Sequence, residues 1–483
     1  MKPALLLALF CGATLLLFAD RGVVSCNSVN GRPAMDGHPG FGIQGEFDLS
    51  LTADGLLAAM LMTGLMLSAP ACSQLSRRFP ALKLMGTGLS LWVFGAAGCA
   101  AAPNFPFLLF CRFLVGAACG PFIALAAPLI DDQAPPDRKS LWLSSFFLCI
   151  PTGFAVGYLY GGLVGTALGW RAAFGIEAAA MLPFAGALLL ASPVELRASS
   201  KAAAPAVAPG SGPAGAGKAL AAFLADCREL AASRVCISTM LALAAYNGSL
   251  GCYAFFGPKA ARAIFDLPSE TADLLFGGIT VLTGVLGTLC GGLALDSMGA
   301  SVRNALLLCT GGVGCGCVLV MAGFGAAKTM PWFGPVFAGG ELAMFLMAAP
   351  VNAVLMWSVP RPELRPFALS AAEFVQHALG DIPSPPALGW LQSKLNNWRL
   401  SMCICTCLLV VSTVLFALAL CQSGREARFR EVLEVEGGGL VDGEEGEEAE
   451  QRHAAGRTAG GAGEAADGSP EAADLEQPLL NAA

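Results

Sequence analysis

The chain has 483 residues, of which 55% are hydrophobic and only 13% charged, with a formal net charge of -7. An ordinary soluble domain carries about twice that charged share, so the composition excludes a soluble globular enzyme and, with no basic arm, a nucleic-acid binder. Much of the acid falls after Gln422, so the net charge describes the tail more than the body.

Apolar stretches of about 20 residues recur, each long enough to cross a bilayer as a helix, and about twelve are expected. The first runs over 4–28. Its opening, Met1-Lys2 and then apolar residues to Ala19, also has the form of a signal peptide. Cleavage there would delete a span and unbalance the two halves described below, so the segment is read as retained. The run ends in Asp20-Arg21. A charge in hydrocarbon costs at least a few kcal/mol, which makes an intramembrane ionisable residue a functional-site hypothesis by default.

The next spans are expected at 53–75, 82–101, 106–129, 141–166 and 170–192. Arg112 lies inside the fourth, between Leu108-Leu109-Phe110 and Phe113-Leu114-Val115. Such a cation faces a bundle interior or an aqueous cavity, and it either binds an anionic head group, pairs with Asp20, or does both. Asp131-Asp132 follows that span, within reach of a gate pair with Arg138 or Lys139 or of plain solvation. The fifth span carries Gly153, Gly157, Gly161 and Gly165 at every fourth position. Small residues at that spacing let helices approach closely, so the seam reads as packing. Glu177 in the sixth span is read as a further candidate or as a solvated structural residue near the end of its helix.

The stretch 193–234 is hydrophilic, and its centre, Lys201 to Lys218, has the Ala/Gly/Pro/Ser composition of a flexible linker. Six more spans are expected at 235–257, 272–296, 303–325, 331–357, 366–391 and 400–421. Asn247-Gly248-Ser249 matches a glycosylation sequon but lies inside the seventh. The tenth holds Glu341 and Asn352. The eleventh holds Glu373, His377 and Asp381 at spacings of four, which share one helix face. His titrates near physiological pH, so this column reads as a proton relay or, in the plainer alternative, a packed interface. Pro383, Pro385 and Pro386 should break the helix just beyond it. The tail from Gln422 is Gly/Ala/Glu-rich and reads as disordered. Its Glu476-Gln477-Pro478-Leu479-Leu480 faintly resembles an acidic dileucine signal for a vacuolar or lysosomal address.

Lys and Arg fall mainly in the loops that share a side with Lys2 and the linker: Arg77, Arg78, Lys83, Arg138, Lys139, Arg361, Arg365 and the Arg425/Arg428/Arg430 cluster. By the positive-inside rule both termini are cytosolic. The 18 Cys are scattered through apolar segments and read as small hydrophobes. Cys403, Cys405 and Cys407 resemble a chelating cluster, but neighbours two apart on a helix point to different sides, so no metal or cofactor is expected.

The layout is six spans at 1–192, a linker at 193–234, six spans at 235–421 and a tail at 422–483. An echo between the halves supports duplication. Thr52-Ala53-Asp54 opens the second span, with Thr63-Gly64 inside it, and Thr271-Ala272-Asp273 opens the eighth, with Thr283-Gly284 inside it. The eighth ends in Gly291-Gly292-Leu293-Ala294-Leu295-Asp296, an ending similar to that of major facilitator proteins. That resemblance implies an all-α polytopic fold of two six-helix halves with a mid-membrane site between them.

More specific stretches run through the whole chain: Asp20-Arg21-Gly22, Gly42-Ile43-Gln44-Gly45-Glu46-Phe47, Ala127-Pro128-Leu129-Ile130-Asp131-Asp132, and Ile150-Pro151-Thr152-Gly153. Gly157-Tyr158, Trp170-Arg171, Gly257-Pro258-Lys259, Gly340-Glu341 and Ala349-Pro350-Val351-Asn352 continue the series. His377-Ala378-Leu379-Gly380-Asp381 and Asn396-Asn397-Trp398-Arg399 close it. In these the chain resembles the Spinster-like family of major facilitator transporters, most closely its plant and algal branch. The resemblance implies an alternating-access carrier, with animal relatives associated with sphingosine phosphate and lysophospholipids, some proton-linked and some lysosomal. It also implies that Asp20 and Arg112 belong to the proton and substrate site. The chain departs from the family pattern twice. Cys119 stands where a Glu is usual, and Ser76-Arg77 stands where Asp-Arg is common.

The reading is a membrane-embedded, monomeric secondary transporter, not an enzyme, for an amphipathic lipid such as a lysophospholipid or a sphingolipid phosphate. Asp20, Arg21, Arg112, Glu341, Asn352, His377 and Asp381 carry substrate and proton coupling. Either Asp20 carries the proton with help from His377 or Asp381, or no proton is carried. A carrier of sugars or organic anions and a non-transporting lipid receptor are the rivals. The membrane is an endomembrane such as lysosome or vacuole, or the plasma membrane.

Overall fold

Long apolar segments with no water to bond their backbone can only satisfy it internally, as helices. The computed structural model obeys this over the residues it describes: 3–34, 39–75, 79–135, 138–191, 224–299, 301–359, 361 and 364–424. Arg77, Arg78, the linker centre 201–218, the tail beyond Gly424 and the Leu479-Leu480 pair lie outside them, as do the side chains of Asp131 and Lys139. Among the described residues eleven segments are long and apolar enough to cross a membrane. The spans of the first half are Pro3–Ser25, Leu51–Leu75, Ala81–Ala100, Phe105–Gln133, Lys139–Leu168 and Trp170–Leu190. Those that follow are Arg234–Phe265, Ser269–Ser297, Val302–Ala326, Met330–Trp357 and Trp398–Gly424.

The expected eleventh span is the exception. It is divided into a helix Arg365–Gln376, a π-helical turn His377–Asp381 and a helix Ser384–Leu395. The break therefore falls within the predicted column and not beyond it. The Ile382 N–H reaches back five residues to the His377 carbonyl at 3.1 Å. Pro385 and Pro386 then occupy the first turn of the next helix, where a missing N–H costs nothing.

Within the first half the first span packs on the fifth, the second on the fourth and the third on the sixth; in the second half the eighth and ninth pack on the tenth and the seventh on the broken eleventh. The glycine seam explains the tightest pairing. A Cβ on Gly157 would lie 2.1 Å from the Ala19 carbonyl oxygen, and Gly153, Gly161 and Gly165 press against Phe18, Cys26 and Ser28 in the same way. The packing reading of this seam is what the structure displays. Between the halves the fifth span meets the eighth, and the second meets Ser384–Leu395. The latter contact is backbone to backbone, since a Cβ on Gly389 would lie 2.1 Å from the Leu51 carbonyl oxygen and one on Gly55 would lie 2.6 Å from Pro385.

Candidate functional site

The close approach of the first and fifth spans fixes the backbone on both sides of Asp20. Gly22 faces the Phe154 carbonyl as Gly157 faces that of Ala19. Asp20 is thereby aimed at the fourth span, where Arg112 meets it as a fork. Nη1 donates to Oδ1 at 2.7 Å and Nη2 to Oδ2 at 2.9 Å, and the two side chains are 2% and 0% exposed. Bidentate pairs of this kind are among the strongest hydrogen-bonded contacts in proteins. The guanidinium carbon also sits 5.8 Å from the Phe174 ring centroid, while Arg112 Nε has no partner.

The neighbour Arg21 is placed differently. It is half-buried, its guanidinium carbon lies 4.4 Å from the Phe18 ring centroid, and its Nε is unpartnered. Cys119, where the family pattern has an acid, is buried and its Sγ donates to the Val115 carbonyl of its own helix at 3.2 Å. Glu177 is not solvated as its position near a helix end suggested. It lies on the buried stripe Trp170, Ala173, Phe174, Glu177, Ala178, Met181, and both carboxylate oxygens are without a hydrogen-bond partner.

On the second half the column forms as spaced. His377 Nδ1 and Asp381 Oδ2 are 2.7 Å apart, and His377 Nε2 is 3.6 Å from Glu373 Oε2. Gln376, which the sequence did not single out, and Asn247, read there only as part of a sequon, extend it. Gln376 donates to Glu373, and Asn247 of the seventh span donates to Gln376 Oε1 at 2.8 Å. The sequon asparagine thus lies half-buried within the seventh span, bonded to the broken eleventh. A π-helical turn often marks a functional position, and here it lets Gly380 approach the Ala244 carbonyl, to which a Cβ would come within 2.5 Å.

Glu341 is buried and accepts from Thr283 Oγ1 at 3.1 Å, with Thr280 at 3.4 Å. Asn352 does not join these groups. It is exposed and donates to the Ala348 carbonyl one turn back at 3.0 Å. Of the three clustered cysteines, Cys405 is buried, Cys403 half-buried and Cys407 exposed, and no group of three potential ligands able to hold a metal occurs among the described residues. A surface concavity of about 620 Å³, lined by Ser28, Phe41, Trp170 and Ser269, contains none of the charged candidates.

Each half of the helical bundle thus holds a titratable cluster, the buried Asp20–Arg112 pair in one and the partly exposed Glu373–His377–Asp381 column in the other. The Major Facilitator Superfamily model matches residues 38–383. A probable sphingolipid transporter, spinster homolog 2 of Arabidopsis thaliana, is 38% identical over 436 residues, covering 86% of this chain and 87% of that protein. The chain belongs to the spinster family of the Major Facilitator Superfamily. It is a multi-pass membrane transporter of the plant type. The sphingosine-1-phosphate transporter SPNS2 of Danio rerio is a more distant relative, 26% identical over 74% of this chain and 71% of its own length. The crystal structure of a bacterial homolog to the human lysosomal transporter Spinster, inward-facing and unoccupied, superposes with a TM-score of 0.70 at 16% identity. It covers 87% of this chain and 97% of that one, a likeness of fold alone. The spinster-type fold places Asp20, Arg21 and Arg112 in one half and His377 and Asp381 in the other.

Proposed function

We propose that this spinster-family chain is an alternating-access carrier of an amphipathic anionic or zwitterionic lipid, such as a lysophospholipid or a sphingolipid phosphate. The observation that carries the proposal is the fully buried, bidentate Asp20–Arg112 pair between the first and fourth spans. Ion pairs in hydrocarbon are retained where charge must be exchanged. Protonation of Asp20 removes the partner of a buried cation, and Arg112 then gains by binding a phosphate in the same bidentate geometry. Arg21, half-buried with its guanidinium over the Phe18 ring, supplies a second cation for the head group. His377 and Asp381 serve the opposite half, where a proton can pass between imidazole and carboxylate. The relatives named for sphingolipids and sphingosine phosphate support that substrate class.

The division into two six-helix halves at 1–192 and 235–421, with linker and both termini cytosolic, belongs to the same proposal. The test is uptake of sphingosine phosphate and of lysophosphatidylcholine into proteoliposomes across a pH series. Wild type accumulates lipid with a pH-dependent rate, and Asp20→Asn transports without that dependence or not at all. A full pH response in Asp20→Asn sinks the coupling role. High-affinity binding with no flux of either lipid sinks the carrier reading in favour of a receptor.

A further inference from the structure

The contacts between the halves at the end of the bundle where the first span stops converge on a single helical turn, Asn27–Asn30. From the second half comes Asp273. The Asn27 backbone N–H donates to both of its carboxylate oxygens at 3.0 Å, and Asn27 Nδ2 donates to Oδ1 at 2.8 Å. Three residues on, Asn30 Nδ2 donates to Asp54 Oδ1 at 2.6 Å. Lys259 of the second half completes the set. Its Nζ donates to Asp54 Oδ2 and to Gln44 Oε1 at 2.9 Å each, and to Asn30 Oδ1. Asp54 and Asp273 are buried, and Lys259 nearly so.

The two aspartates are the echoed pair, each near the start of the second span of its half. They close across the interface in opposite directions: Asp54 of the first half takes Lys259 of the second, and Asp273 of the second takes Asn27 of the first. The turn leads into a loop pinned by backbone contacts at its described ends, 31–34 and 39–42. Gly31 and Gly42 have φ of +77° and +71°, a region that favours glycine, and a Cβ on Gly31 would lie 1.8 Å from the Phe41 carbonyl oxygen. The Arg32–Phe41 backbone bridge closes that loop and delivers Gln44 to Lys259.

We propose that the Asn27–Asn30 turn is a latch that holds the halves shut at this end, and that Asp54, Lys259 and Asp273 are the residues whose release opens it. This deepens the alternating-access reading and rests on it, but its test needs no substrate. In the shut state each carboxylate is dry and bonded. Parting the halves strips Asp54 of its cation and Asp273 of both Asn27 donors, so opening requires water to enter and replace them. The arms are unequal: Lys259–Asp54 is an ion pair, while Asn27–Asp273 uses neutral donors only. The charged arm therefore sets most of the resistance.

The experiment is amide hydrogen exchange of the full chain in lipid nanodiscs, comparing wild type, Lys259→Met, Lys259→Arg, Asp54→Asn and Asn27→Asp. The last places a like charge against Asp273 and tests the neutral arm separately. Lys259→Met, Asp54→Asn and Asn27→Asp should raise exchange over 26–34 and 269–276 by about tenfold or more. The same variants should lower exchange over 141–150 and 288–297, at the other end of the fifth and eighth spans, because halves that part at one end close at the other. Lys259→Arg, which keeps the charge, should stay near wild type. Faster exchange at both ends marks a loss of packing and overturns the latch, as does unchanged exchange over 26–34. A latch that opens in this way in a chain that moves no lipid leaves the latch standing and removes the substrate reading.

Discussion

Asp20→Leu is the substitution for which the structure dictates the largest cost. Removing the carboxylate deletes two charge-assisted hydrogen bonds, at 2.7 and 2.9 Å, each worth about 1.5–3 kcal/mol. It also leaves an Arg112 side chain that is 2% exposed with no counter-charge. Breaking one partner of a buried pair costs about 3–5 kcal/mol, in line with the sum of the two bonds. Replacing both residues by apolar groups removes the stranded charge, so Asp20→Leu/Arg112→Met should recover to within about 1–2 kcal/mol of wild type. The exposed pair Arg171–Glu46, with side chains 38% and 42% exposed, gives the internal standard: Glu46→Gln should cost under about 1 kcal/mol. Reversible sodium dodecyl sulfate titration in mixed micelles, followed by far-UV circular dichroism, measures wild type, Asp20→Leu, Arg112→Met, the double substitution and Glu46→Gln. The reasoning fails if Asp20→Leu costs no more than Glu46→Gln, or if the double substitution costs as much as the two single ones added.

Three further outcomes follow from the geometry. Gly157→Val should lose about 1–3 kcal/mol by overpacking, because its Cβ meets the Ala19 carbonyl at 2.1 Å, whereas Gly186→Ala, with nothing within 4 Å, should be neutral or stabilising in the same titration. Trp170→Phe removes the indole N–H that donates to Glu46 Oε2 at 2.8 Å. It should cost about 1 kcal/mol and raise amide exchange over 41–47 without touching the Asp20 site. Glu341→Leu should be worse tolerated than Glu341→Gln, which can still accept from Thr283; equal stability of the two would show that the 3.1 Å contact contributes nothing.

Much of this architecture was legible from local rules. Apolar length set the spans, a four-residue period set the glycine seam, and the same period put Glu373, His377 and Asp381 in one column. The cost of charge in hydrocarbon was enough to single out Asp20 and Arg112 as partners. What local rules could not supply was the direction of a side chain whose neighbours are distant in sequence. Asn352 and Glu341 look alike as polar residues in one apolar span, yet one bonds its own helix in the open and the other is buried against Thr283. Glu177 near a helix end suggested solvent, but its place on the inward stripe decided otherwise. The π-turn was displaced from the prolines, because Pro385 and Pro386 fit a helix start while Gly380 permits the tight approach to Ala244. The latch joins residues more than 200 positions apart, such as Asn27 and Asp273, and the repeated Thr-Ala-Asp was its one visible trace.

The glycine seam has a mechanical consequence. Ala19 and Gly157 touch through their backbones; Asp20 follows the one, and Tyr158, whose hydroxyl grips the Ala254 carbonyl in the opposite half, follows the other. Backbone contact thus joins the first span to the fifth, so that one close joint carries Asp20 toward Arg112 on one side and Tyr158 toward the opposite half on the other.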